Sequence, residues 1–282
     1  MMIQWYPGHI AKAERSLAEQ LKRVDVVLDV RDIRIPLTTQ HPKLKEWVGS
    51  RERVLVLNRM DMISPEMQDL WLQWFSDRQE KPYFTNAKLG KGIREVTQAA
   101  IAAGAAMNER RRNRGMRPRP VRAVVVGFPN VGKSALINRL LNRKVVHSAA
   151  RPGITRQLRW IKISADIELL DAPGVIPARL EDQRDAVKLA ICDDIGEASY
   201  DNQRVAIALL DLLYQLNTHV NTLDKLRSRY EVESANLSSE DYLHTLAQTK
   251  YLGDLERAAC QLLTDFRKGH LGLFSLELPP LR

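Results

Sequence analysis

Residues 127–134, Gly-Phe-Pro-Asn-Val-Gly-Lys-Ser, fit G-x-x-x-x-G-K-S at every fixed position, and each fixed residue suits the gripping of a triphosphate. Gly127 and Gly132 let main-chain N–H groups turn inward around phosphate oxygens. Lys133 neutralises the β and γ oxygens, and the Ser134 hydroxyl is placed to hold Mg²⁺. Contacts to the nucleotide are expected along Asn130, Val131, Gly132, Lys133, Ser134 and Ala135. The loop follows the apolar "AVVVG" and opens "KSALINRLLNR", a strand and a helix, which is the context such a loop requires.

Further on, "LLDAPG" ends an apolar run in Asp171, whose carboxylate can hold the metal through water, and in Gly174, whose N–H can meet a γ-phosphate. Between the two, "RPGIT" offers Thr155, a hydroxyl able to close on Mg²⁺ while the γ-phosphate is present and to relax after hydrolysis. Taken alone, each of these would read as a turn. Their order behind the phosphate loop gives them the functional reading.

The order of the remaining chemistry is unusual. "VLVLNRMD", ending at Asp61, reads as a buried strand running into a loop with the spacing of a guanine-reading loop, yet it precedes the phosphate loop. Either the match is chance or the chain has been cut and rejoined. If the loop lies beside the phosphate loop, Asp61 accepts hydrogen bonds from guanine N1–H and its exocyclic amine, while Asn58 ties the loop to the phosphate loop or the base. Adenine would set a lone pair against that carboxylate, so GTP should be strongly preferred over ATP. "TNAKLGKG" follows by one helix and one strand; within its Asn86, Ala87 and Lys88, the Ala87 N–H is expected to meet the guanine carbonyl and Lys88 to lie near the base.

The order "NRMD", "NAK", "GFPNVGKS", "PGIT", "DAPG" resembles the circularly permuted GTPases, and "WYPGHIAKA" with "DVRDIRIPLTTQHP" resembles the ribosome biogenesis GTPase A family. The resemblance covers residues 1 to about 180 and, more loosely, the rest. It implies a Ras-like P-loop domain re-threaded in sequence, binding GTP and GDP, and a role in late assembly of the large (50S) ribosomal subunit. The family's base loop usually carries Lys where this chain has Arg59; a guanidinium plane is expected to stack on the purine in its stead. The "DIR" at Asp32 to Arg34 stands where the family more often has D-A-R.

Ras-like enzymes orient the attacking water with a Gln two residues past D-x-x-G. Here Gly174 is followed by Val175, Ile176 and Pro177, none able to do so, and intrinsic hydrolysis should be slow. His9, in "PGH", is a candidate base or orienter by its near-neutral pKa; it reads equally as a cap on the first helix. Asn130 resembles the Asn that helps hold K⁺ in similar GTPases, and also reads as a turn residue after Pro129.

The elements that must position these groups follow from periodicity. Apolar residues at Ile10, Ala13, Leu17, Leu21 and Val24 mark one helical face. Strands are expected at "VDVVLDV", "RVLVLN", "PYFTN", "AVVVG" and "DIELLD". Helices are expected over "PEMQDLWLQWFSDRQ", with Leu70, Trp74 and Met67 on one face, and from about Ile93 to Met107. Residues 108–122, with seven arginines, two prolines and a glycine, read as a basic linker. Alternating strands and helices imply an α/β fold with one mostly parallel sheet covered by helices on both faces. From about residue 181 to 282 only helices are expected, for example one capped by Asp201 with Val205, Leu209, Leu212, Leu213 and Leu216 along a stripe. The chain therefore divides into a GTPase domain, 1–180, and a helical domain, 181–282.

At 282 residues the chain suits two domains, and 43 Lys plus Arg against 34 Asp plus Glu, a net +9, favours a polyanionic partner. Basic residues of the arginine-rich stretch, and Lys225, Arg227, Arg229, Arg267 and Lys268, are expected to track rRNA phosphates. Cys192 and Cys260 are too few for a disulfide framework, apolar runs are too short for a membrane span, and a cytoplasmic protein, monomeric in solution and without a membrane partner, is expected. Two other readings fit less of the sequence: a GTP-gated RNA-binding module with negligible hydrolysis, and a P-loop ATPase or nucleotide kinase in which "NRMD" is accidental.

Overall fold

Every side chain of Val26–Asp32 is buried, as a strand covered on both faces requires. This strand, β1, is the centre of the sheet. The computed structural model describes residues 19–141, 159–171, 182–195, 200–234 and 237–280. In chain order come β1, α1 (Leu44–Val48), β2 (Glu52–Asn58), α2 (Pro65–Ser76), β3 (Pro82–Thr85), α3 (Ile93–Ala103), α4 (Ala105–Asn113), β4 (Val121–Val126), α5 (Lys133–Leu140), β5 (Arg159–Lys162) and β6 (Ile167–Asp171). The helices α6 (Gln183–Cys192), α7 (Asn202–Val220), α8 (Thr222–Tyr230), α9 (Ser239–Lys250) and α10 (Leu255–Arg267) follow.

The six strands lie in the order β3-β2-β1-β4-β6-β5. All pairs are parallel except β5 with β6, so the expected mostly parallel α/β sheet is present, with one antiparallel edge strand that the sequence reading did not place. Alternation within the strands sorts the core: Val26, Leu28, Val30, Val54, Val56, Ala123 and Val125 fall in the large cluster that continues into the helices after residue 182, while Val27, Val124, Val126 and Leu170 pack on the opposite side with Leu44 and Trp47.

Three expectations need correction. On α2 the buried face is Met67, Trp71 and Phe75, packed on Ile33, Leu55 and Leu57, whereas Leu70 is 54% exposed. The i, i+4, i+8 row that contains two aromatics removes more apolar area from water than a row through Leu70 and therefore faces inward. The helix expected from Ile93 to Met107 breaks at Gly104, where a Cβ would lie 2.3 Å from a Val121 methyl. The arginine-rich stretch is not a bare linker: its first part is helix α4, which buries none of its residues.

In α7, Asp201 caps through Arg204 N–H as expected, and Val205, Leu209, Leu213 and Leu216 are buried while Leu212 is half-buried. Residues 276 and 277 return to the segment after β1: Leu276 N–H donates to the Arg34 carbonyl at 2.8 Å, and Glu277 accepts from Leu37 N–H (2.8 Å) and the Thr38 hydroxyl (2.6 Å), as well as from Lys188 of α6 (2.9 Å). No described residue after 182 lies in a strand.

Candidate functional site

Parallel strands carry their functional loops at their carboxyl edge. β4 delivers the phosphate loop there, β2 the "NRMD" loop and β3 the "NAK" loop, with β1 ending between β2 and β4. Reordering in space thus brings together what the sequence separates.

The phosphate loop is shaped by its two glycines. Gly127 has φ 150° and approaches the Val30 carbonyl so closely that a Cβ would lie 2.2 Å from it; Gly132 has φ 103°, and a Cβ there would lie 2.0 Å from Asn58 Nδ2. No side chain fits either position, and the main chain is left open toward a phosphate. Lys133 opens α5, is buried, and donates from Nζ to the Phe128 carbonyl at 2.5 Å, so its ammonium is folded back over the loop. Ser134 and Ala135 follow in the first turn of α5, half-buried, and Val131 is buried. β6 pairs Asp171 with Val125, two residues before Gly127; this register sets the main chain of Asp171 beside the phosphate loop, where a metal-holding carboxylate is needed. Ser134, at the start of α5, carries the hydroxyl expected to hold Mg²⁺. Among the described residues no cluster of three or more His, Cys, Asp or Glu side chains that could hold a metal ion occurs. His9, Thr155 and Gly174, together with Val175 to Pro177, lie outside the described residues.

Asn58 holds the loops together. Its Nδ2 donates to the Val131 carbonyl at 2.8 Å, and its Oδ1 accepts from Ala87 N–H and from the Thr85 hydroxyl, both at 3.1 Å. The side chain is buried. It therefore ties the base loop to the phosphate loop, one of the two roles expected of it. The Ala87 N–H, expected to meet a guanine carbonyl, is here engaged by Asn58. Asn86 folds its own loop, with Oδ1 accepting from Leu89 N–H at 2.9 Å. Lys88 is exposed beside it.

Arg59 has φ 66°, its Nη2 donates to the Asn130 carbonyl at 2.7 Å, and its Nε lies 3.1 Å from Asp32 Oδ2. The guanidinium is thus tied both to the phosphate loop and to the end of β1. Asp61 sits in a 3₁₀ turn, Met60–Met62, with its carboxylate exposed and no partner among the described residues, the state required of a group that is to accept from a ligand. Asn130, at φ 57°, donates from Nδ2 to the Asp193 carbonyl at 2.7 Å. That bond uses the amine side of the residue and leaves only its carbonyl oxygen to face a cation.

Sequence reasoning missed a buried charge cluster behind the loops. Arg34 makes a two-pronged contact with Asp32, at 3.0 and 2.6 Å, and reaches the Cys192 carbonyl at 2.9 Å. Burial alone would raise the Asp32 carboxyl, but the charges of Arg34 and Arg59 and the Arg34 hydrogen bonds more than offset it, holding it below the ordinary carboxylate value. Asp194 is buried in the same cluster, with both oxygens lacking a hydrogen-bond partner among the described residues; burial, followed by the Asp32 charge, pushes its carboxyl well up. The only sequence signal was the "DIR" triplet. Arg139 was missed too: from α5 it donates to the Ala87 carbonyl at 3.1 Å and also to the Lys88 carbonyl, fastening the second base loop to the phosphate-loop helix.

With that geometry in place, the relatives are informative. Residues 122–239 match the family model described as 50S ribosome-binding GTPase, a span that begins at the strand bearing the phosphate loop and omits the early base loops. Over 285 residues the chain is 32% identical to a ribosome biogenesis GTPase A of Bacillus cereus, covering 99% of this chain and 95% of the relative. GDP-bound YlqF of Thermotoga maritima shares the fold with a TM-score of 0.65 at 20% identity, over 94% of this chain and 99% of that one. The GNP-bound form gives 0.63 at 21% identity, over 95% and 98%.

Proposed function

The chain belongs to the ribosome biogenesis GTPase A family, and from that premise we propose that it is a GTP-dependent switch whose nucleotide unit, residues 1–180, and helical unit, residues 181–282, dock together on rRNA of the maturing large ribosomal subunit. It is a GTP-hydrolysing assembly factor, and it binds guanine nucleotide. The observation that carries the reading is Asn58, which joins the second base loop and the phosphate loop through one buried side chain.

In this scheme the phosphate-loop N–H groups and Lys133 hold the β and γ oxygens, and Asp61 reads the guanine edge. Ser134, Asp171 and Thr155 would hold Mg²⁺, which would supply positive charge at the γ-phosphate. Water attacks the γ-phosphorus, GDP departs, and the proton of the water passes to His9 or to a phosphate oxygen. K⁺ against the free oxygen of Asn130 would supply the charge that an arginine finger supplies elsewhere. The loss of the γ-phosphate releases the Thr155 and Gly174 loops and with them the subunit. The protein acts as a monomer in the cytoplasm; no helix among the described residues is long and apolar enough to cross a membrane.

The test is multiple-turnover GTP hydrolysis in K⁺ buffer, with and without purified large subunits, with ATP as control. Slow turnover rising at least tenfold with the subunit supports the switch and leads to His9→Ala. Tight GTP binding without stimulation argues against it. Asp61→Asn should move preference from guanine toward xanthine nucleotides; unchanged base preference would remove Asp61 from the site.

A further inference from the structure

Helix α4 has no buried residue and is wholly polar after Ala105, Ala106 and Met107, and a helix without a buried apolar face normally needs some other reason to form. Here it is braced from outside. Asn108 donates to the Arg119 carbonyl at 2.9 Å and accepts from Arg119 N–H at 3.0 Å, closing the turn across eleven residues. Arg119 in turn grips Asp25 with both guanidinium arms, at 2.8 and 2.9 Å, and Asp25 also accepts from Arg122 N–H at 2.9 Å. Arg111 donates to the Arg117 carbonyl at 3.0 Å, while Gly115 at φ 70° makes the reversal.

The brace uses Arg111 and Arg119 and leaves Arg110, Arg112, Arg114 and Arg117 exposed, with no carboxylate partner among the described residues. The only acid in the arm is Glu109. Four exposed guanidinium groups on a braced turn, with Glu109 the single acid of the arm and Asp166 beside Arg112, leave an excess of positive charge that an anionic lattice would neutralise. The arm precedes β4, whose far end leads into the phosphate loop; six residues of strand at about 3.3 Å each set the arm about 20 Å from the nucleotide.

We propose that this arginine hairpin is a nucleotide-independent clamp on the phosphate backbone of double-stranded RNA. It deepens, and rests on, the ribosomal reading above by assigning the RNA contact to the sheet domain and to a place that GTP hydrolysis does not alter. The nucleotide-dependent contact is then made elsewhere, and release of γ-phosphate weakens one of two attachments rather than the whole.

The test uses Arg110, Arg112, Arg114 and Arg117 changed together to Ala, and together to Lys. Binding to a labelled 16-base-pair RNA duplex and to purified large subunits is followed from 50 to 200 mM KCl with GDP and with a non-hydrolysable GTP analogue. Each lost phosphate contact removes about 0.7 to 0.9 from the slope of log affinity against log salt, so the Ala variant, which loses four, should lose about 3 to 3.5 in slope and at least tenfold in affinity at 100 mM. The Lys variant should retain most of both. The loss should be equal with either nucleotide, and unstimulated GTP hydrolysis should be unchanged. An unaltered slope, a loss confined to the GTP-analogue form, or weakened duplex binding with undiminished subunit binding overturns the clamp. Should the unaltered protein bind the duplex and not the subunit, the ribosomal reading fails while the duplex arm of the test still decides the hairpin.

Discussion

Arg59 Nε lies 3.1 Å from Asp32 Oδ2 while its Nη2 reaches the Asn130 carbonyl, so one guanidinium spans the base loop, the end of β1 and the phosphate loop. Asp32 is also paired with Arg34, which holds the Cys192 carbonyl at the end of α6. A lysine ammonium is a point donor without the planar fork and satisfies one of these partners at a time. Arg59→Lys should therefore leave the fold intact, because Arg34 still neutralises Asp32, and weaken GDP binding about three- to tenfold, roughly 1 kcal/mol. Fluorescent GDP titration beside a thermal melt checks this; equal affinity would mean that the bridge does not organise the base loop.

Asn58→Ala removes more. Ala87 N–H, the Val131 carbonyl and the Thr85 hydroxyl lose a common buried partner, and each buried group left without one costs about 1–3 kcal/mol. Partial relaxation onto water should bring the total to about 2–4 kcal/mol in urea unfolding, with GDP affinity down at least tenfold. Asn58→Asp keeps the acceptor for Ala87 and Thr85 but sets a carboxylate against the Val131 carbonyl. It should retain more stability than the Ala variant and bind GDP no better. If instead the Asp variant binds as the parent does, the Val131 bond has no part in shaping the site.

Much of this arrangement was legible because its chemistry is carried by short, ordered patterns. The glycines and lysine of the phosphate loop, the Asn and Asp of "NRMD" and the strands before them depend on spacing alone, and neighbouring residues suffice to read them. What escaped depends on contacts far apart in sequence. Arg34 meets Cys192 158 residues away, and Ser275 and Leu276 return to the Arg34 carbonyl; no periodicity announces such pairs. The face of α2 was misjudged because Leu70 and Trp71 both fit a helical stripe, and only the shape of the Ile33–Leu55–Leu57 surface decides between them. The helix in the arginine-rich stretch escaped for a different reason: it has no apolar period to read, and its support is the Asn108–Arg119 brace.

Asp194 is the group in this cluster whose charge the fold does not serve. Both of its oxygens are buried without a hydrogen bond among the described residues, and burial raises its pKa well above the ordinary carboxylate value. In the unfolded chain the same carboxyl ionises near pH 3.9. Below that pH it is protonated in both states and costs nothing through ionisation; as the pH rises, the unfolded state releases its proton first and stability falls, by up to about 1.4 kcal/mol per pH unit, until the folded carboxyl also ionises. Asp194→Asn keeps the shape and cannot ionise, so it should be more stable than the parent by about 1–3 kcal/mol at pH 7.5, and the advantage should shrink as the pH is lowered toward 4. Urea unfolding of both proteins at pH 5, 6 and 7.5 measures it. The opposite result, an Asn variant that is weaker at pH 7.5, would show that Arg34 and Arg59 hold Asp194 ionised. The cluster would then be a balanced set of two carboxylates and two guanidiniums, and Arg59 could not leave Asp32 for a bound base without stranding a buried charge.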